Sequence, residues 1–99
     1  MAAKYSSSCL TCIRYALRRF GKKRGAIPYV IKNRRGGYHV VTLVGSLYYD
    51  KFGARSLRII LADLSRVWRM RKLRVQRTSW DFLRLILANE AYEALEDWS

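Results

Sequence analysis

Two stretches rich in β-branched and aromatic residues flank a short glycine-containing segment in the first half of the chain. The stretches read AIPYVIKN and YHVVTLVGSLYY, and RRGG, residues 34–37, lies between them. β-branched and aromatic residues favour strands, and a Gly-Gly pair can supply the positive φ that a tight turn needs. The pattern therefore predicts a β-hairpin that carries Arg34 and Arg35 at its tip.

The second stretch of this hairpin is apolar at alternate positions on both of its faces, beginning with Val40 on one face and Val41 on the other. A strand of this kind is usually covered on both sides or pairs across a subunit interface. Pro28 in the first stretch has no N–H to donate, which predicts that the first strand lies at an edge of the sheet.

A short helix is predicted before the hairpin. Apolar or small residues recur there at spacings of three and four: Cys9, Cys12, Ile13, Ala16, Leu17 and Phe20. We expect an N-cap within Ser6, Ser7 and Ser8 and a C-cap at Gly21. Cys9 and Cys12 form a C-x-x-C pair, but the chain has one histidine and no further cysteine, so it cannot complete a four-ligand zinc site alone. We interpret both as core thiols.

Residues 55–77 combine apolar residues with eight lysines and arginines. At 100° per residue, seven apolar side chains fall within an arc of about 120°: Leu57, Ile60, Leu61, Leu64, Val67, Trp68 and Val75. The basic side chains on the opposite side are Arg58, Arg66, Arg69 and Lys72, joined by Arg55 if the helical turn begins early. This sorting predicts an amphipathic helix over residues 57–75, with Ser56 as its N-cap at the end of a loop over residues 50–56, DKFGARS.

A last helix is expected to start near Thr78, with Asp81 completing a capping box. Its first half, WDFLRLILA, is apolar around the whole circumference, which exceeds what one small core needs. The sequence therefore predicts a small single α+β domain over residues 1–99, in the order helix, β-hairpin, helix, helix. We divide it into a cationic binding part, 1–77, and an acidic, apolar C-terminal helix, 78–99. We expect a homodimer formed through that helix, the hairpin or both.

Positive charge is concentrated in the first eighty residues. They hold 19 of the 20 lysines and arginines and only Asp50 and Asp63 as acidic residues, whereas residues 81–99 have a net charge of −4. Such a field attracts polyanions, with nucleic acid first, an anionic membrane second and an acidic protein third. No apolar run reaches the roughly 18 residues that can span a bilayer. A membrane-surface helix is disfavoured because the core needs its apolar face.

Catalysis is not expected from this sequence. No acidic residue precedes Asp50 and no glutamate precedes Glu90, so the clustered carboxylates of a metal-dependent nuclease are missing. His39 stands in a strand without an evident nucleophile. We therefore expect neither an enzyme nor a bound cofactor or metal.

These features predict a non-enzymatic protein that binds nucleic acid through phosphates and shape. Duplex or structured RNA is favoured over DNA, because the basic helix face lacks the Asn or Gln side chains that read base edges. The candidate contacts are Arg34, Arg35, Arg55, Arg58, Arg66, Arg69 and Lys72.

Two alternatives stay open. One is a small viral or phage accessory protein that acts on an acidic host factor, for example as a silencing suppressor or defence antagonist. The other is a structural ribonucleoprotein component. The N-terminus lacks the apolar block of an export signal, so we expect an intracellular protein, cytoplasmic or nuclear.

Overall fold

The computed structural model describes the backbone of residues 2–89 and the side chains of residues 10–88. This part of the chain forms an α+β domain with three helices and a five-stranded antiparallel sheet. The elements are α1 (Ala2–Phe20), β1 (Ile27–Lys32), β2 (Tyr38–Val44), β3 (Leu47–Asp50), β4 (Gly53–Arg55), α2 (Leu57–Trp68), β5 (Arg74–Arg77) and α3 (Trp80–Asn89).

The sheet has the strand order β4-β3-β2-β1-β5, so β1 lies inside the sheet between β2 and β5. Ile31 lies opposite His39 on one side and Val75 on the other. The prediction of an edge position for the first strand was therefore wrong. Pro28 is tolerated because it lies one residue beyond the last pair of the β1–β5 ladder, where its carbonyl accepts a hydrogen bond from the Thr78 amide.

The sheet carries an apolar cluster on each face. One cluster joins α1 and α3 to the sheet and contains the buried residues Cys12, Ile13, Ala16, Val30, Tyr38, Val40, Leu83 and Ile86. The other joins α2 to the sheet and contains the buried residues Ile31, Val41, Ile60 and Trp68. Val40 and Val41 of β2 thus point into different clusters. Helices of the same chain cover β2 on both sides, which was one of the two arrangements expected from its apolar faces.

The predicted hairpin is the first part of a four-stranded meander. Its turn has Gly36 at a φ of 84°, and the second apolar stretch is divided into β2 and β3 by Gly45, which has a φ of 66°. The segment after Asp50, which we expected to be a loop, instead supplies β4. This short strand pairs with β3, with Asp50 opposite Gly53 and Tyr48 opposite Arg55.

Helix starts differ from expectation at two of three positions. Ser56 caps α2 as predicted, since its hydroxyl accepts a hydrogen bond from the Ile59 amide. α1 begins at Ala2, so Ser6–Ser8 lie within the helix and do not cap it. α3 is capped by Ser79, whose hydroxyl accepts from the Phe82 amide, and not by Thr78.

α2 ends at Trp68, seven residues before the predicted end of the helix. Arg69 adopts the left-handed conformation with a φ of 56°. The amides of Arg69 and Met70 both donate to the Ser65 carbonyl, which closes the last turn. Residues 74–77 then pair with the open side of β1. Lys72 therefore lies in the connecting loop, and Val75 in a strand, so neither belongs to a helix face.

The core absorbs most of the apolar surface of α3. Leu83 and Ile86 are fully buried, and Trp80, Phe82 and Leu87 pack against the same cluster, whereas Leu85 is 54% exposed. The surplus apolar surface that suggested a subunit interface is thus smaller than the sequence indicated. The acidic residues from Glu90 onward lie outside the described residues.

Candidate nucleic-acid interface

A cationic cleft lies between the β1–β2 turn and the α2–β5 loop. It consists of two cavities of about 380 and 420 Å³ that share Arg34 and Lys72. The residues that line it are Lys32, Asn33, Arg34, Met70, Arg71, Lys72, Leu73 and Arg74. Five of these are basic and none is acidic, so the cleft concentrates positive potential between low-dielectric walls.

Two of the cleft cations are held opposite each other by the sheet. Lys32 in β1 is the register partner of Arg74 in β5. Burial and, to a smaller extent, the neighbouring Arg74 charge lower the pKa of Lys32 below its usual 10.5. Like charges directly opposite in an antiparallel ladder destabilise the pair by roughly 0.2–1 kcal/mol. An anion in the cleft would relieve this repulsion.

The turn that carries Arg34 is held by a side chain of its own. The carboxamide oxygen of Asn33 accepts hydrogen bonds from the backbone amides of Arg35, at 2.8 Å, and Gly37, at 2.9 Å. A Cβ atom at residue 37 would lie 2.6 Å from the Asn33 side-chain nitrogen, so any residue other than glycine would displace the Asn33 carboxamide. The local structure therefore fixes the turn and leaves Arg34 exposed at the cleft.

The predicted contact residues separate into three groups. Arg34 and Lys72 line the cleft together, although Lys72 reaches it from a loop. Arg35 is exposed at the tip, and Arg58 and Arg69 are exposed at the two ends of α2. The third group, Arg55 and Arg66, contacts carboxylates in a separate pocket.

Sequence reasoning missed Lys32, Arg71 and Arg74 as cleft residues. Arg71 and Arg74 lie within the predicted helix over residues 57–75 but are not among the basic side chains of its cationic face, and Lys32 lies in a predicted strand. The basic run RMRKLR, residues 69–74, was the available signal for the loop residues. Lys32 could be placed only with knowledge of the β1–β5 register.

A second feature, the His39 pocket, lies between α2 and the β2–β3–β4 end of the sheet. It has a volume of about 270 Å³ and is lined by His39, Asp50, Phe52, Arg55, Ile60, Asp63, Leu64, Arg66 and Val67. All of these residues come from the middle of the chain, from β2 to α2.

A chain of alternating charges runs through the His39 pocket. Asp50 Oδ2 accepts from His39 Nε2 at 2.9 Å and from Arg55 Nη2 at 2.7 Å. Arg55 Nη1 also donates to Asp63 Oδ2 at 2.6 Å, and Asp63 Oδ1 accepts from Arg66. The Asp50 side chain is only 1% exposed, so these ion pairs tie the β3–β4 hairpin and α2 to the sheet in a shielded environment.

The charged forms of both buried partners are stabilised. Burial favours neutral His39, but hydrogen bonds to Asp50 and Cys12 and the nearby Asp50 charge outweigh it and raise the pKa of His39 to about 9. Burial also opposes ionised Asp50. The His39 hydrogen bond, the Phe52 amide and Arg55 nevertheless hold the pKa of Asp50 below its usual 3.8. His39 and Asp50 are therefore both charged, and form an ion pair, over the neutral range.

Cys12 lies beside this network, with its Sγ 3.7 Å from His39 Nδ1. Its thiol is buried and belongs to the α1 cluster, which agrees with its interpretation as a core thiol. The side chain of Cys9 lies outside the described residues. Both ring nitrogens of His39 are engaged, Nε2 by Asp50 and Nδ1 by Cys12.

Within the described residues, no three His, Cys, Asp or Glu side chains are grouped closely enough to hold a metal ion. No helix in the part of the chain that the structure describes is long and apolar enough to cross a bilayer. No family model, curated protein or solved structure matches the chain.

Proposed function

We propose that the protein binds nucleic acid, with structured or duplex RNA preferred over DNA, and that the cationic cleft holds the phosphate backbone. The single observation that carries this proposal is the convergence of five basic side chains on a cleft without an acidic lining residue. Phosphate contacts supply most of the sequence-independent affinity of nucleic-acid-binding proteins. The role is binding without catalysis or sequence readout.

The arrangement of Lys32 and Arg74 supports this proposal from the side of stability. Their opposition costs free energy in the unliganded protein, and phosphate oxygens between them would convert that cost into two charge-assisted hydrogen bonds. A solvated basic surface that served solubility alone would spread such charges apart.

The test is a binding titration of the double variant Arg34→Gln/Lys72→Gln at several salt concentrations. Both residues are exposed and line both cavities, so their replacement should leave the fold intact. The matched control is Lys22→Gln/Lys23→Gln, which removes the same charge from exposed positions after α1. We expect the cleft variant to lose affinity for every duplex sequence by a similar factor and to reduce the slope of log K against log salt by about 2. Equal behaviour of the two double variants would contradict the proposal.

A further inference from the structure

The mouth of the His39 pocket carries two strongly exposed apolar side chains. Phe52 is 70% exposed and Val67 is 61% exposed. Phe52 does not reach the surface through a loosely held loop. It is the second residue of a two-residue connection between β3 and β4, and its amide donates to Asp50 Oδ1 at 2.8 Å. The aromatic ring is therefore presented to solvent on a fixed backbone.

The pocket combines apolar walls with hydrogen-bonding groups at its rim. Ile60 and Leu64 of α2 contribute apolar surface, whereas Asp63 and Arg66 place a carboxylate and a guanidinium at the rim. A carboxylate has about four acceptor positions and a guanidinium has five N–H donors. The Asp63 contacts to Arg55 and Arg66 occupy two acceptor positions, so capacity remains for a ligand that brings both donors and acceptors.

The His39 pocket and the cationic cleft have lining residues three positions apart at the C-terminal end of α2. Val67 lines the pocket, and Met70, three residues later, lines the cleft. Their Cα atoms can be no more than about 11 Å apart, because consecutive Cα atoms are separated by about 3.8 Å. A nucleic acid whose backbone occupies the cleft would thus bring neighbouring nucleotides to the mouth of the pocket.

We propose that the His39 pocket receives one unpaired nucleobase, which stacks on Phe52 and directs its polar edge toward Asp63 and Arg66. A planar base has an apolar face for the ring and an edge that carries donors and acceptors, and the pocket offers a partner to each. An aliphatic side chain of a protein partner would cover the apolar walls but would leave unused the acceptor positions of Asp63 and the N–H donors of Arg66 that remain beside their mutual ion pair. The inference depends on the proposed function and narrows its ligand to a structured RNA with an unpaired nucleotide beside a duplex.

The experiment uses three RNA hairpins that have the same stem and loop sequence and differ only at one bulge position. The first carries a single 2-aminopurine bulge, the second an abasic site at the bulge, and the third is fully paired; a DNA set is measured in parallel. We expect the wild-type protein to bind the first about 5- to 100-fold more tightly than the second, the effect of one base–aromatic stack. We also expect quenching of the 2-aminopurine fluorescence on binding.

The decisive variant is Phe52→Ala, with Phe52→Trp as the conservative variant and Ile59→Ala as the matched control. Ile59 is also about half exposed but is not a pocket-lining residue. We expect Phe52→Ala to bind the base-containing and abasic bulges equally and to show no quenching. Phe52→Trp and Ile59→Ala should keep the preference for the base-containing bulge and the quenching. Circular dichroism spectra and melting curves verify that each variant is folded.

The outcomes separate this inference from the proposed function. If Phe52→Ala binds all three hairpins as the wild type does while Arg34→Gln/Lys72→Gln weakens all three, the base pocket is wrong and the phosphate cleft stands. The pocket would then suit an apolar side chain of a protein partner. An equal loss on all three hairpins for Phe52→Ala would also overturn the base pocket, because the ring would then act on the backbone. If the wild type binds no hairpin, both proposals fail.

Discussion

Lys32 of β1 and Arg74 of the edge strand β5 lie directly opposite each other. The antiparallel pairing of the two strands therefore sets two positive charges side by side. The pair shares the wall of the cationic cleft with Arg34 and Lys72. It therefore couples the stability of the sheet edge to the occupancy of the cleft, and this coupling can be measured.

Replacement Arg74→Glu should stabilise the protein and weaken its binding to nucleic acid. An opposite charge facing Lys32 turns repulsion into attraction, with an expected gain of roughly 0.2–1 kcal/mol in the free energy of unfolding. The same change removes a cleft cation and introduces an anion, so affinity falls. The measurements are urea denaturation and a binding titration.

The control for this prediction is Arg77→Glu. Arg77 lies in the same strand, is exposed and faces Tyr29, and it is not a cleft-lining residue. It undergoes the same change of charge and should affect binding much less than Arg74→Glu. Loss of stability in Arg74→Glu would show that the cross-strand repulsion is negligible.

The His39–Asp50 pair predicts a defined dependence of stability on pH. The pKa of His39 is about 9 in the folded protein, compared with the usual 6.5 of histidine. A raised folded pKa contributes stability that is complete below pH 6.5 and lost as pH rises toward 9, about 3 kcal/mol in total. The lowered pKa of Asp50 acts in the other direction, with stability lost as pH falls below 3.8.

Urea denaturation at intervals between pH 5 and pH 9.5 measures this dependence. His39→Gln should have a lower stability at pH 6 and a flatter profile between pH 6.5 and 9. A wild-type profile that is already flat across that range would show that His39 is neutral in the fold.

Variants of Arg69 test whether its side chain has a role in binding that accounts for an arginine in a strained backbone conformation. It holds a left-handed conformation at the end of α2, a position where glycine is usual. Arg69→Gly should therefore raise the free energy of unfolding by up to about 1 kcal/mol. If Arg69 contacts phosphate as the sequence suggested, the glycine variant binds more weakly and Arg69→Lys binds nearly as the wild type does. Equal affinity of all three proteins would remove Arg69 from the interface.

The proposed homodimer can now be tested at a single position of α3. Leu85 is exposed whereas Ile86 is fully buried, so Leu85→Glu should leave the domain folded and separate the subunits. Ile86→Ala instead should cost about 2–4 kcal/mol of stability through a core cavity. Light scattering at low micromolar concentration gives the mass, with Ile59→Glu as a surface control. A monomeric wild type would end the dimer hypothesis.

The parts of the fold that could be predicted from the sequence are those decided within a few residues. Gly36 marked the hairpin turn, Ser56 marked the start of α2, and the two-sided apolar pattern of β2 required covers on both faces. β4, β5 and the end of α2 could not be predicted, because partners distant in the chain decide them. Val75 fits the apolar stripe of a helix and becomes a strand residue only because β1 offers an open edge to it.

The candidate site divides in the same way. Arg34 and Lys72 stood out because each lies in a locally recognisable basic segment. Lys32 and Arg74 could not be associated, since 42 residues separate them and only the β1–β5 register brings them together. The link between His39, Asp50 and Arg55 was hidden for a similar reason, because β4 was taken for a loop.

The position of β1 inside the sheet has a consequence for how the chain is made. β1 gains its second neighbour only when residues 74–77 emerge, some 42 residues after Lys32, which is roughly 2–8 s of translation at ordinary rates. Throughout that interval β1 is paired with β2 alone, and its other edge, with the apolar side chains of Val30 and Ile31, is a surface on which other nascent chains can add strands. Chains arrested before Arg77 should therefore enter inclusion bodies, whereas completed chains close that edge with their own β5.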